Sequence, residues 1–399
     1  MIISFDRSRA ETWETCPRKR FWLYEYQDKG LEKSDDLKID ARIGTWVHNG
    51  IECWMGAIPS SRDAKAAASW AGEAFLIECQ QIVVDPPAQL VHDINEGRDI
   101  VTALAYAWLR LKAPRLLADG EVLGIEKELT VDFQVPTIGG AEIVRLMARP
   151  DIIWRRNADG TIFIRNLKTV RQADDRWREK WALDMQTLSE PLAVDEWMKQ
   201  QTGTLEGNIH YLGATCGGVI IDGLVTGKIT SAKSQFGGLY HHNNHLVYAF
   251  RREEPNGAYI YIPQYKYGLQ KVAVADSYSG GIIAWVDHLI ANHPEVVEEY
   301  LIELPPIIRS EYQIERWKRQ VLPRETDIRR WAKMVDASPI PDYHLDTYFP
   351  MHTAGGNCLY PGKCAAYNLC HGSAAADPLN SGYKLRVPNH PQEKENSCE

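Results

Sequence analysis

Three polar residues of this chain, Asp151, Asn166 and Lys168, could together hold a divalent cation beside a phosphate. Carboxylate and amide oxygens are the ligand types that Mg²⁺ and Mn²⁺ prefer, and a lysine can offset charge that develops on a phosphate. Alternate side chains of a strand point to one face, so Asn166 and Lys168 share a face and Leu167 takes the other. The spacing predicts a polar site at a strand end.

A β-hairpin is needed to bring these residues together. An apolar run over residues 143–155 and an alternating run over residues 161–169 flank the turn formers Asn-Ala-Asp-Gly, which predicts two paired strands. A third alternating run, residues 121–134, precedes them, so we expect a meander. Glu126 and Glu128 share one face of that first strand, where a glutamate could either assist a metal site or face solvent.

The hairpin resembles the PD-(D/E)XK nuclease superfamily. Pro150-Asp151 matches the first half of the family pattern and Asn166-Leu167-Lys168 matches the second. The resemblance implies an α/β fold, with a restriction-endonuclease-like core in which helices flank a mixed sheet, and it implies metal-dependent hydrolysis of phosphodiester bonds. In one respect the chain departs from the pattern, because the second acid of the family is here the neutral Asn166.

His48 adds a further candidate ligand. It follows Gly44 in a predicted helix, residues 39–55, with the Gly-x-x-x-His spacing of RecB-like members of the superfamily. In those enzymes the histidine joins the metal site. The alternative is a buried core histidine, because the apolar residues Trp46 and Val47 precede it directly.

Gln186 matches the glutamine of a Gln-x-x-x-Tyr motif that RecB-like nucleases place on a helix after the hairpin. Here that helix is predicted over residues 177–200, and Glu190 occupies the tyrosine position, which is a second departure. An exposed helical glutamine is the alternative interpretation.

Four cysteines indicate a second metal centre. Cys16 precedes a proline and a basic run, and Cys358, Cys364 and Cys370 follow one another with five residues in each gap. The resemblance, here to the subgroup that includes the AddB nuclease domain and CRISPR-associated RecB-like nucleases, implies that the four thiolates bind a 4Fe–4S cluster. Many members begin the later trio with Cys-x-x-Cys, so the wider gap is a third departure. Zinc is the competing metal, and a buried core thiol is the alternative for Cys16.

The resemblance also implies roles at the cation site. The implied protein ligands of Mg²⁺ or Mn²⁺ are Asp151, His48, the Asn166 side chain and the Leu167 carbonyl. Lys168 would orient the attacking water, and Gln186 would position either the substrate or Lys168. Since an amide brings no negative charge, we expect Asn166→Asp to bind the cation more tightly and to cleave faster, whether the asparagine is natural or an inactivating substitution.

The function implied by the resemblance is that of a DNA exonuclease acting on single-stranded ends. Recombination, repair or phage DNA metabolism is the expected setting, with a partner protein from such a pathway. Two alternatives remain open at this stage. One is a catalytically weakened or silent DNA-binding relative, and the other is a zinc-stapled interaction protein.

Composition narrows the class of protein but does not identify its function. A net charge of −8 argues against a protein coated with nucleic acid but permits a local basic groove. The N-terminus has no signal pattern and no apolar run reaches the ~20 residues of a membrane span, so we expect a cytoplasmic protein. The expected regions are a helical part with the first cluster cysteine (1–120), the nuclease core (121–230), a helical part ending in the cysteine trio (231–372) and a flexible tail (373–399).

Periodicity predicts further elements around the hairpin. The predicted helices span residues 6–24 with a break near Cys16, and residues 39–55, 61–82, 88–112, 177–200, 278–303 and 310–335. A buried strand is predicted over residues 216–227.

Overall fold

The computed structural model of the chain describes residues 2–33, 37–83, 85–137, 140–171, 173–202, 215–226, 238–242, 245–253, 259–262, 281–292, 294–353, 358–359 and 363–387. The strands are β1 (Ile2–Asp6), β2 (Leu31–Lys33), β3 (Gly120–Ile125), β4 (Leu129–Thr137), β5 (Gly140–Ala148), β6 (Ile152–Arg156), β7 (Ile162–Val170), β8 (Cys216–Val225), β9 (Gly238–His242), β10 (His245–Glu253), β11 (Tyr259–Ile262), β12 (Leu301–Glu303) and β13 (Tyr383–Leu385). The helices are α1 (Arg7–Thr15), α2 (Pro17–Arg20), α3 (Ile39–Gly56), α4 (Ala64–Ile82), α5 (Ala88–Leu111), α6 (Ala113–Asp119), α7 (Asp175–Lys180), α8 (Gln186–Thr202), α9 (Gly281–Asn292), α10 (Pro294–Glu299), α11 (Glu311–Asp336), α12 (Pro341–Tyr348) and α13 (Tyr367–His371). Mixed sheets flanked by helices confirm the predicted α/β class.

A five-stranded mixed sheet carries the predicted hairpin. Its strand order is β12-β8-β7-β6-β3, with β7 antiparallel to β6 and parallel to β8. A second sheet, β1-β5-β4, joins the N-terminal strand in parallel to β5. The strands β1 and β12 lie outside residues 121–230, so segments distant in sequence complete both sheets. The hairpin and the buried strand beside it form as predicted.

The expected three-stranded meander is wrong in one respect, because it is bent into both sheets. The segment predicted over 121–134 is split into β3 and β4, with Glu126 between them at a left-handed φ of 44°. The segment predicted over 143–155 is split into β5 and β6 around Pro150, which has no N–H to continue a ladder. Because β3 pairs with β6 and β4 with β5, the two breaks coincide and bring Glu126 beside Asp151.

The strand β7 separates two hydrophobic cores, as its alternation predicts. Phe163 and Leu167 pack with α3, α4, α5 and α6 on one side. Ile162 and Ile164 pack with α7 and α8 on the other. Each such burial is favourable by roughly 1.5–3 kcal/mol, and a one-residue slip would exchange the two sets of side chains. This register places Asn166 on the α8 side of the sheet.

The N-terminal helix breaks where the proline predicts. Asp6 caps α1 by accepting a hydrogen bond from the Arg9 N–H at 2.8 Å. The helix ends at Thr15, and Pro17 begins α2, a position where a missing N–H costs nothing. A π-helical turn over residues 21–25 follows and packs against the C-terminal helices.

Two helices that were predicted as single elements are divided. The residues predicted as a helix over 177–200 form α7 and α8, and those predicted over 278–303 include α9, α10 and the short strand β12. The helix predicted over 310–335 is confirmed as α11, which begins with a capping box between Ser310 and Gln313.

Part of the expected flexible tail is structured. The strand β13 pairs antiparallel with β2, and Tyr383 is buried among the C-terminal helices. A 3₁₀ turn over residues 373–375 precedes it. The apolar face of Tyr383 is what anchors this segment, which composition alone did not indicate. The expectation for residues 388–399 lies outside the described residues.

A membrane-spanning helix is absent from the described part of the chain, since none of its helices is both long and apolar enough.

Candidate active site

Asp151 lies at the bend between the two sheets, directly before β6. Its Oδ2 accepts a hydrogen bond from the Leu167 N–H at 2.6 Å, and its own N–H donates to Asn166 Oδ1 at 3.4 Å. These two contacts join the hairpin strands at the point where the β6 ladder ends. The carboxylate of Asp151 is therefore fixed against β7, as the sequence pattern predicted.

His48 and Lys168 converge on the same carboxylate oxygen. His48 Nδ1 lies 3.7 Å and Lys168 Nζ 3.8 Å from Asp151 Oδ2. The helix α3 approaches β7 closely because Gly44 has no side chain, and a Cβ there would lie 2.6 Å from Thr169 Oγ1. The Gly-x-x-x-His spacing thus brings His48 next to Asp151.

The surroundings of His48 lower the pKa of its imidazole. Burial lowers its pKa, Asp151 and a hydrogen bond to the Leu167 backbone oppose that shift, and Lys168 adds to it. A neutral imidazole keeps a lone pair for a metal. The position is therefore chemically suited to ligation.

Glu126 completes a candidate cation site that the alternation of its segment did not identify. One ligand atom from each of His48, Glu126 and Asp151 lies within 4.8 Å of the other two. The Glu126 N–H donates to the Asp151 carbonyl at 2.9 Å, and Arg149 Nε lies 3.0 Å from the Glu126 carboxylate. Burial raises the pKa of Glu126 to about 8, with Asp151 adding to the shift and Arg149 opposing it.

The left-handed backbone of Glu126 marks the same place. A positive φ is costly for a residue with a side chain and tends to occur at functional sites. The sequence signal for Glu126 was weak, because the alternation of 121–134 treated it and Glu128 as equivalent. The strand in fact ends at Ile125, so alternation does not apply to either residue.

Asn166 is fully enclosed between Asp151 and helix α8. Its Nδ2 donates to Glu190 Oε2 at 2.6 Å, and Gln186 Nε2 donates to Glu190 Oε1 at 2.6 Å. Both helix residues are buried, so the alternative of an exposed Gln186 is wrong. Burial raises the pKa of Glu190 to about 7, while Lys168 and the two amides oppose that shift.

The structure thus brings together every residue predicted for the cation site. Those residues are Asp151, His48, Asn166, Leu167, Lys168 and Gln186. Two carboxylates join them, Glu126 from the strand break and Glu190 from α8. With one imidazole and several oxygen donors, this set suits a hard divalent cation.

The four predicted cluster cysteines form a separate group. Burial raises the pKa of Cys370 to about 12, Arg18 opposes the shift, and Cys16, Cys364 and Cys358 add to it. Cys16 is therefore close to the trio, although almost the whole chain separates them. The Cys364 N–H donates to the Cys358 carbonyl at 2.9 Å, and this hydrogen bond holds the first two cysteines of the trio near each other.

Two comparisons with known proteins bear on these sites. A profile of the PD-(D/E)XK nuclease superfamily matches residues 7–370, which include both the cation site and the four cysteines. No curated protein matches the chain.

Proposed function

Because this chain belongs to the PD-(D/E)XK nuclease superfamily, we propose that its metal-dependent nuclease activity is that of a deoxyribonuclease acting on single-stranded DNA ends. We place it in the cytoplasm, in recombination, repair or phage DNA metabolism, with a partner protein from such a pathway. The RecB-like motifs around Gly44-His48 and Gln186 support this narrower assignment.

One observation carries the proposal. The carboxylate of Asp151 lies within 4 Å of both His48 and Lys168, and Glu126 stands beside it. At such distances the acid and the imidazole can hold Mg²⁺ or Mn²⁺. The lysine ammonium then remains beside the metal ion and can contact a phosphate. When bound, the divalent ion polarises the phosphate and lowers the pKa of a water ligand.

The roles of the protein groups follow from their positions. Asp151, His48 and Glu126 would hold the ion, with the Asn166 amide oxygen and the Leu167 carbonyl nearby. Lys168 is only partly buried, so its ammonium can face substrate, orient the attacking water and offset charge on the transition state. Glu190 of α8, which also accepts from Gln186, fixes the Asn166 amide on the side away from Asp151.

Exposed cations around the site support a polyanionic substrate. Arg149 pairs with Glu126 yet keeps 43% of its side chain exposed. Lys180 is also exposed and lies within electrostatic range of Lys168. Such local cations can attract DNA phosphates in spite of the net negative charge of the chain.

We further propose that Cys16, Cys358, Cys364 and Cys370 hold a 4Fe–4S cluster. The four thiols act on one another electrostatically, as one shared site requires, and the resemblance to iron–sulfur RecB-like nucleases favours the cluster over zinc. The role of the cluster would be to join the N-terminal segment to the C-terminal helices.

The nuclease assignment can be tested with end-labelled linear and circular single-stranded DNA in the presence of Mn²⁺. We expect shortening from the ends of linear DNA and no cutting of circles. Lys168→Ala should lower the cleavage rate by about 10²–10³-fold, because its ammonium acts in the transition state. Calorimetric Mn²⁺ binding should stay unchanged in that variant.

Cutting of circular DNA would replace the exonuclease assignment by an endonuclease. If the parent chain binds DNA and Mn²⁺ but cleaves neither substrate, the silent DNA-binding relative, favoured by Asn166, would be the better conclusion. Equal rates for the parent and Lys168→Ala would contradict the role of the lysine.

The cluster is tested by iron and acid-labile sulfide in protein prepared without oxygen. We expect Cys370→Ser to lose both, while Cys53→Ser, at an exposed cysteine of α3, should lose neither. Zinc in place of iron would contradict the cluster, and full iron in Cys16→Ser would remove Cys16 from the ligand set.

A further inference from the structure

The contact between Asn166 and Glu190 joins two of the three places at which the chain departs from the family motifs. Asn166 is completely buried and Glu190 is 5% exposed, and the amide and the carboxylate meet at 2.6 Å between β7 and α8. The other oxygen of Glu190 accepts from Gln186. Within the described residues, Glu190 forms no salt bridge, so two neutral amides are its direct partners.

A buried carboxylate with only neutral hydrogen-bond partners is costly to a fold. A neutral glutamine at position 190 could also accept from Asn166 without burying a charge, so hydrogen bonding alone does not account for an acid there. Lys168, at the mouth of the site, is the cationic group that opposes the raised pKa of Glu190 most, and Arg7 also interacts with this carboxylate. The hydrogen bond to Asn166 connects the carboxylate to the cation site.

The orientation of the Asn166 amide follows from its two neighbours. A carboxylate only accepts, so the Glu190 side must face the NH₂ group of the amide. The Asp151 N–H only donates, so the amide oxygen must face Asp151 and the site. Without an acceptor at residue 190, the amide could turn and present its NH₂ group to a cation, which would repel it.

We infer that Glu190 supplies the negative charge that position 166 lacks, acting through Asn166 as a positioning residue. Relative to the family motifs, the strand has lost an acid and the helix has gained one, so the number of carboxylates is kept. The amide passes the negative charge on by hydrogen-bond polarisation and presents an oxygen to the ion. This inference rests on the proposed divalent-cation site.

The inference changes the expectation for Asn166→Asp. That variant alone would place two carboxylates at the 2.6 Å contact, where like charges oppose one another. In the double variant Asn166→Asp/Glu190→Gln, the glutamine can donate to the new aspartate and still accept from Gln186. In the double variant residue 190 donates and residue 166 accepts, so the hydrogen bond is restored with the two roles exchanged.

The test measures two properties of the parent, the two single variants and the double variant. The first is the melting temperature without metal, and the second is the Mn²⁺ dissociation constant from calorimetry. Glu196→Gln is the matched control, since Glu196 lies on the same helix and pairs with Lys199 instead. Neither measurement needs cleavage activity.

We expect Glu190→Gln to weaken Mn²⁺ binding by about 10–100-fold, because the variant loses the charge that polarises the Asn166 amide. Asn166→Asp should melt at a lower temperature without metal, and the double variant should recover both the melting temperature and the affinity. Glu196→Gln should match the parent in both measurements.

Equal Mn²⁺ affinity in the parent and Glu190→Gln would overturn the inference and leave the nuclease assignment intact. Additive losses in the double variant would also overturn it, because the two residues would then be independent. A parent chain that binds Mn²⁺ but cleaves no DNA would overturn the proposed nuclease function and leave this inference standing.

Discussion

Two buried groups of charged residues in this protein have opposite electrostatic characters. In the N-terminal segment, Arg20 donates to Glu25 at 2.8 Å and to Glu325 at 2.7 Å, and all three side chains are almost wholly buried. Burial alone would raise the pKa of Glu25, but Arg20 lowers it below its ordinary value. Each acid of this group has a guanidinium at hydrogen-bond distance.

At the active site the acids are less fully paired. Lys168 stays 3.8 Å from Asp151, and Glu190 faces two amides. The pKa of Glu126 is raised although Arg149 lies 3.0 Å from its carboxylate, and the pKa of Glu190 is raised as well. Burial and charge count therefore do not distinguish a structural ion cluster from a ligand site. What distinguishes them is whether cations of the protein offset the effect of burial on the carboxylates.

The largest expected effect is on the Arg20 group. Arg20→Met leaves two carboxylates buried without their cation, which should lower the free energy of unfolding by about 3–5 kcal/mol in urea denaturation. Arg115→Met is the control, since Arg115 forms an exposed pair with Glu298 and should cost less than about 1 kcal/mol. Similar losses in both variants would remove the distinction between the two groups.

A smaller and metal-dependent effect is expected at the active site. Glu126→Gln should not destabilise the metal-free protein, because it relieves repulsion with Asp151. Mn²⁺ at a hundred times the parent Kd should raise the unfolding free energy of the parent by about 2.7 kcal/mol. With a tenfold weaker Kd, the gain of the variant should be about 1.4 kcal/mol. Denaturation with and without Mn²⁺ measures both gains, and equal gains would exclude Glu126 from the site.

The smallest effect concerns Asp336, at the end of α11 near the Arg20 group. Burial raises its pKa to about 6, Asp28 and Glu25 add to the shift, and Arg329 opposes it. Because this folded-state pKa lies above the ordinary value, the folded state binds more protons, and stability falls as the pH rises from about 4 to 6. Because the side chain is only partly covered and solvent screens its charge, the fall should stay below about 1 kcal/mol.

Asp336→Asn should remove that part of the pH dependence. Urea titrations at pH 4, 5 and 6 measure it, with the parent as reference. If the unfolding free energy has the same slope against pH in both proteins, Asp336 does not add an unsatisfied acid to the Arg20 group.

Local pattern was sufficient for the residues that lie in regular elements. Period-two alternation gave the faces of β7, because it depends on geometry within one element. The break at Pro17 likewise follows from local chemistry. These two predictions needed no knowledge of distant contacts, whereas the role of His48 was implied by the resemblance to RecB-like nucleases.

The features that could not be predicted from the sequence depend on tertiary contacts. Alternation could not place Glu126, since it lies where the strand stops. Glu190 was one helical turn from Gln186, which is a local signal for a shared face, but only the packing of α8 on β7 supplies Asn166 as its partner. Arg20 and Glu325 are separated by 305 residues, and no local pattern relates them.

The partners of the N-terminal segment also set an order in time. β1 pairs with residues 143–147, and Arg18 donates to the Phe349 carbonyl across 331 residues. At a synthesis rate of 5–20 residues per second, the segment leaves the ribosome roughly 15–60 s before those last partners exist. Throughout that interval Phe21 lacks its contact with Phe349, and until residues 143–147 are made Phe5 lacks its partner strand. The nascent chain is then a substrate for chaperones and, without them, is most prone to aggregate.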